Sequence, residues 1–140
     1  MIIVQDGCFA LQTPHTSYIF RKDAAGNLLH LYYGEKIEIE EEGLAKVCEI
    51  MAPVITNQNC CSLIADTSQP NLCLDDVCLE ISSRGKGDMR EPYVELVLAD
   101  GSSTSDFRYE NYRIEERLLA PEGLPGAYEE QGNGQSLVIS

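Results

Sequence analysis

The chain has 140 residues, 44% of them hydrophobic, enough to bury a core as a single domain. Ten Lys and Arg against 23 Asp and Glu leave a net charge of −13, a field that repels phosphate backbones and anionic lipid, so neither nucleic acid nor membrane is expected as a partner. No apolar window approaches the roughly 20 residues of a membrane-spanning helix. Met1 to Cys8 also lacks the basic and long apolar regions of a secretory signal. The expectation is a soluble, cytoplasmic protein.

In chain order, apolar runs rich in β-branched and aromatic residues recur between Gly, Asn, Asp and Pro, which predicts a β-rich chain. Phe9 to Gln12, Thr16 to Arg21 and Leu28 to Tyr33 read as three strands of an antiparallel meander. Asp23 to Asn27 supplies the turn between the second and third. From Gly34 to Glu42, Ile37 and Ile39 alternate with charged residues as in a strand with one wet face, and the acidic run there is expected to be solvated. Leu44, Val47, Cys48 and Met51 then fall at helical spacing, so Gly43 to Met51 predicts a short helix stopped by Pro53.

Thr56 to Asn71 is polar and reads as a loop around a weak apolar island, Leu63 to Ala65. Tyr93 to Ala99 alternates, and Asp100-Gly101 is a hairpin signal joining it to a second alternating stretch, Ser105 to Arg117. Pro121 to Pro125 reads as a linker. Ser136 to Ser140 has strand composition at the last residues, which reads as a fragment cut in mid-strand.

Six cysteines, at 8, 48, 60, 61, 73 and 78, lack the paired spacing of a zinc site and read as reduced, buried small hydrophobes. Neither His15 nor His30 has a neighbour in sequence that would make a nucleophile–base or metal pair, so no metal and no cofactor is expected. Tyr32, Tyr33, Tyr109 and Tyr112 are assigned to core and cross-strand packing, with sugar stacking as the alternative.

TSYIFR (Thr16 to Arg21), GNLLHLYYG (Gly26 to Gly34), GDMREP (Gly87 to Pro92), DGSSTSDFRY (Asp100 to Tyr109) and EGLPGAY (Glu122 to Tyr128) stand in one order along nearly the whole chain. That ordered set resembles the opening domain of bacterial α-galactosidases of glycoside hydrolase family 36. The resemblance implies a mostly β fold, an antiparallel β-sandwich of the supersandwich type. Residues 1–140 would be its N-terminal part and the fold incomplete, with the catalytic (β/α) barrel absent. It also implies a retaining enzyme with two catalytic carboxyls about 5 Å apart. Those lie in the barrel, so no catalytic residue is assigned here.

The same resemblance implies a homo-oligomer in which a loop of this sandwich reaches a neighbour's active site and touches the sugar. That loop maps to Leu72 through Arg90, and the family's sugar-contacting aspartate and arginine match Asp75 and Arg90. A carboxylate that accepts and a guanidinium that donates suit a polyhydroxylated ligand. Read without the resemblance, Asp75 is a turn or cap residue and Arg90 pairs with Asp88 or Glu91. Asp88 itself is expected to fix its own turn by bonding the backbone two residues on. The chain departs from the family between Val77 and Arg84. The implied function is hydrolysis of terminal α-galactosyl groups from oligosaccharides by the parent enzyme. The alternative is a free-standing carbohydrate-binding module.

Overall fold

The computed structural model describes residues 1–40, 42–53, 72–119, 123 and 134–140. Four antiparallel strands run in chain order across one sheet: β1 (Ile2–Gln5), β2 (Cys8–Gln12), β3 (Thr16–Lys22) and β4 (Leu28–Glu35). The last three are the meander expected from the sequence. The first was not expected, because four residues are too few to show alternation. Asp6-Gly7 joins β1 to β2 with both residues at positive φ, +50° and +76°, the conformation of a tight two-residue hairpin.

Cross-strand register sorts the side chains onto two faces. Ile3, Ala10, Ile19 and Tyr32 align on one, and Val4, Phe9, Phe20 and His30 on the other. The first face is covered by helix α1 (Leu44–Met51), which buries Leu44 and Cys48 against Cys8, Ala10 and Ile19. The helix ends where Ala52 turns extended (ψ 135°), as the residue before Pro53 must. Ile37 and Ile39 pack onto the same cluster, but among the described residues the expected strand over Gly34 to Glu42 does not continue beyond Glu35. The 36–40 segment has no backbone ladder. Its first rungs go to the His15 carbonyl, which accepts the Lys36 N–H (2.8 Å), and to the Ser17 hydroxyl, which accepts the Ile37 N–H (3.0 Å). Alternation there reports a half-buried extended chain rather than a paired strand.

On the second face Phe9, fully buried, stacks on Phe20 at 4.9 Å and receives the edge of Tyr112 at 5.5 Å and the tilted ring of Tyr109 at 5.9 Å. Tyr112 belongs to β5 (Tyr112–Glu115), which pairs antiparallel with β6 (Ser136–Ile139). The fold is mostly antiparallel β, as expected, with the sheets meeting through aromatic rings. The strand expected at Ser136 to Ser140 exists and is hydrogen-bonded to β5.

Two further strand expectations fail. Tyr93 to Ala99 and most of Ser105 to Arg117 form no ladder; only Tyr112–Glu115 is a strand. The Asp100-Gly101 turn does form, with Gly101 at φ +83°. Leu98 N–H donates to Ser102 O (2.8 Å) and Gly101 N–H to Leu98 O (2.9 Å). The hairpin stops after that rung, and Val97 and Leu98 stand in solvent. Good turn chemistry closes the loop, but without a packed face the flanks gain nothing from pairing. The readings at Thr56 to Asn71 and Pro121 to Pro125 lie outside the described residues, Gly123 apart.

Candidate functional site

The loop from Leu72 to Arg90 begins with buried Leu72, Cys73 and Leu74, and Leu74–Asp76 forms one turn of 3-10 helix. Leu72, Leu74 and Val77 form a second small core with Leu29 of β4. These apolar residues hold the turn to the sheet, and Asp75 is thereby left exposed on its outer side. Asp75 Oδ1 accepts the N–H of Met89 at 2.6 Å, so the carboxylate ties the start of the loop to its end.

Arg90 makes the reciprocal tie. Its Nη2 donates to Leu74 O (2.7 Å), its Nη1 to Val77 O (2.7 Å) and its Nε to Asp88 Oδ1 (2.8 Å). The two carbonyls lie at either end of the 3-10 turn. A guanidinium carries five N–H groups, so two remain, one on each terminal nitrogen. The pairing of Arg90 with Asp88 is the one anticipated for a purely structural arginine. Asp88 also does what was expected of it, since its Oδ1 accepts the Arg90 backbone N–H two residues on (3.1 Å).

Asp88 is the buried member of the set, its side chain wholly shielded while that of Arg90 is 40% exposed. Burial works against its charge. The Arg90 side-chain and backbone bonds, the nearby Ser82 hydroxyl and the Arg90 charge outweigh this and hold the carboxyl below the usual carboxylate range. Ser82 is near enough to help, although Oδ2 meets no partner at hydrogen-bonding geometry.

Behind the loop lies a cluster the sequence reading did not assemble. Segment 78–80 docks on the free edge of β4: His30 N–H donates to Cys78 O (2.7 Å), Glu80 N–H to Leu28 O (2.9 Å), and Leu29 bridges Leu79. Glu80 then takes Tyr18 Oη–H on Oε2, while Oε1 stands 2.9 Å from His30 Nδ1. Burial, the bond to Glu80 and its charge all push the Tyr18 hydroxyl well above the ordinary tyrosine range, so it stays a donor. The three residues come from sites 50 and 62 positions apart in the chain, and only an expectation that 78–80 joins the sheet would have linked them.

A cavity of about 190 Å³ opens between the β3–β4 turn and β6, lined by Leu28, Ile81, Phe107, Tyr109 and Ile139 with Arg108 and Asn27 at its wall. Its polar groups are already engaged: Arg108 donates to Ala25 O, Asn27 Oδ1 and Asp106, and Asn27 donates to Asp23 Oδ2. The cavity is apolar in effect and poorly suited to a polyol. Of the cysteines, Cys8, Cys48 and Cys73 are buried, as expected, and Cys78 is exposed; Cys60 and Cys61 lie outside the described residues. Burial and the neighbouring Cys8 push the Cys48 thiol up to about 12, so it is no nucleophile.

The family model "Glycosyl hydrolase family 36 N-terminal domain" matches residues 26–140. The chain belongs to this family. As a family-36 N-terminal domain it is 28% identical over 131 residues to the bifunctional α-galactosidase/sucrose kinase AgaSK of Mediterraneibacter gnavus, covering 94% of this chain and 13% of that protein. It is 27% identical over 122 residues to α-galactosidase AgaA of Geobacillus stearothermophilus, 87% of this chain and 16% of that one. Among solved structures, the galactosidase domain of AgaSK superposes with a TM-score of 0.77 at 26% identity, over 99% of this chain and 19% of that one. A variant of Geobacillus AgaA in complex with stachyose gives 0.78 at 27% identity, over 94% and 17%. The family-36 domain described here thus spans less than a fifth of the proteins it matches.

Proposed function

We propose that residues 1–140 are the N-terminal part of the β-sandwich domain of a cytoplasmic α-galactosidase. That enzyme removes terminal α-galactosyl groups from oligosaccharides, and its barrel, elsewhere in the parent polypeptide, supplies both catalytic carboxyls. The chain itself hydrolyses nothing. The observation that carries this reading is the family match over residues 26–140, joined to relatives that are α-galactosidases along nearly the whole chain.

Within that reading Asp75 and Arg90 bind sugar. Asp75 spends one oxygen on Met89 and is exposed, which leaves the other for a hydroxyl donor. Arg90 keeps two N–H groups for hydroxyl oxygens, on a side chain fixed by three bonds before any ligand arrives. The parent enzyme is a homo-oligomer in which this loop faces a neighbouring subunit's active site. Crystal structures of AgaA variants with stachyose and raffinose suggest galactosyl-sucrose sugars as the substrate class.

The test is raffinose hydrolysis by the gene product, with Asp75→Ala and Arg90→Ala beside the wild type. Loss of one hydrogen bond to a bound sugar is expected to lower kcat/KM by about tenfold, equivalent to about 1.4 kcal/mol, mainly through KM. A gene product that binds galactosides without hydrolysing them would favour the free-standing module instead. Unchanged KM in both variants would remove the sugar role from these two residues.

A further inference from the structure

We infer that Glu80, gripped by Tyr18 and His30, is a positioning residue for the Asp75 loop. This rests on the sugar-binding reading of Asp75, and it adds the part of the fold that decides where Asp75 stands. The loop is a closed circuit. Arg90 fastens its end to Leu74 O and Val77 O, and Asp75 fastens its start to Met89 N–H. Those ties make the loop rigid in itself, but they do not place it on the molecule.

The small core around Leu29 holds the turn against the sheet, and the residues just after Val77 set its register there. There the backbone joins β4 by two hydrogen bonds and the Leu29–Leu79 bridge, a short edge pairing. Three residues of edge strand are weak alone and free to slip in register. Glu80 removes that freedom. Its side chain lies on the face opposite α1, where both of its oxygens are held, one by Tyr18 of β3 and one by His30 of β4. A slip by one residue would turn Glu80 to the other face and break both contacts at once.

The carboxylate is well shielded, 18% exposed against 32% for His30, so its bonds are little diluted by water.

Glu80→Ala removes both acceptor oxygens at once and leaves Tyr18 and His30 without their shared partner. Tyr18→Phe removes one donor and nothing else, and serves if the first variant folds badly. Amide hydrogen exchange in the protein is expected to quicken about tenfold at His30 and Glu80, the two donors of the edge pairing, in either variant, while Ala10, Ile19 and Cys48 keep wild-type protection. In the hydrolysis assay KM rises and kcat holds, and Glu80→Ala adds nothing further once Asp75 is already Ala.

Exchange that is unchanged in both variants would overturn the inference. So would exchange that rises equally in β2, β3 and α1, since that describes a general loss of stability. If exchange rises at that edge pairing alone but Asp75→Ala leaves sugar binding intact, the anchor stands and the sugar-binding reading fails.

Discussion

A carboxylate with no exposed surface stays charged in this fold because a single arginine reaches it from both its backbone and its side chain. The pH dependence of Asp88 follows from that arrangement. Its pKa in the folded chain lies below the value of about 3.9 expected when unfolded. Its stabilising contribution is thus fully present above that unfolded value and is lost as pH falls through the folded one. Asp106, held down against burial by Arg108 and Lys86, and Asp100, held down mainly by the Ser102 N–H, add to the same acid limb. Urea titrations at several pH values should therefore show Asp88→Asn costing about 2 kcal/mol at pH 7. The gap to wild type should narrow below pH 4. A gap that stays constant to pH 2 would mean the charge of Asp88 contributes nothing to the fold.

Among elements, β2 carries the most, because Phe9 touches both layers through Phe20, Tyr109 and Tyr112. Phe9→Ala should cost about 3–5 kcal/mol, read as a lower denaturation midpoint with little change of slope. The strands that were legible in the sequence, β2 to β4, are those whose apolar residues are shared between two buried faces. Strand β1 escaped notice although Asp6-Gly7 is the same dipeptide that marked the later hairpin. Four residues give a pattern too short to read, and the turn alone was the signal. Conversely, Tyr93 to Ala99 alternates as a strand should, yet Val97 is 80% exposed, so alternation without a partner face misled. At the site, Asp75 and Arg90 were reached through the ordered motifs. Their mutual bracing needed the 3-10 turn, which carries no periodic signature, and Glu80 needed the pairing of 78–80 with β4.

Over the whole molecule, two long-range tendencies compete. A charge of −13 keeps copies apart, while the hairpin tip exposes Leu96, Val97 and Leu98 together. Added salt screens the first and leaves the second, so sedimentation at 0.5 M NaCl should show more self-association than at low salt. Val97→Lys should suppress it. Association that weakens with salt instead would point to contacts between charges.

The four-stranded meander and α1 occupy residues 2–51, and every pairing among the strands joins neighbours in sequence. Contacts of this kind close short loops and form quickly, so chain order becomes folding order during synthesis. The edge of β4 lies within that early block, so it is expected to serve as a template on which Glu80 docks, with Tyr18 and His30 placed to receive it.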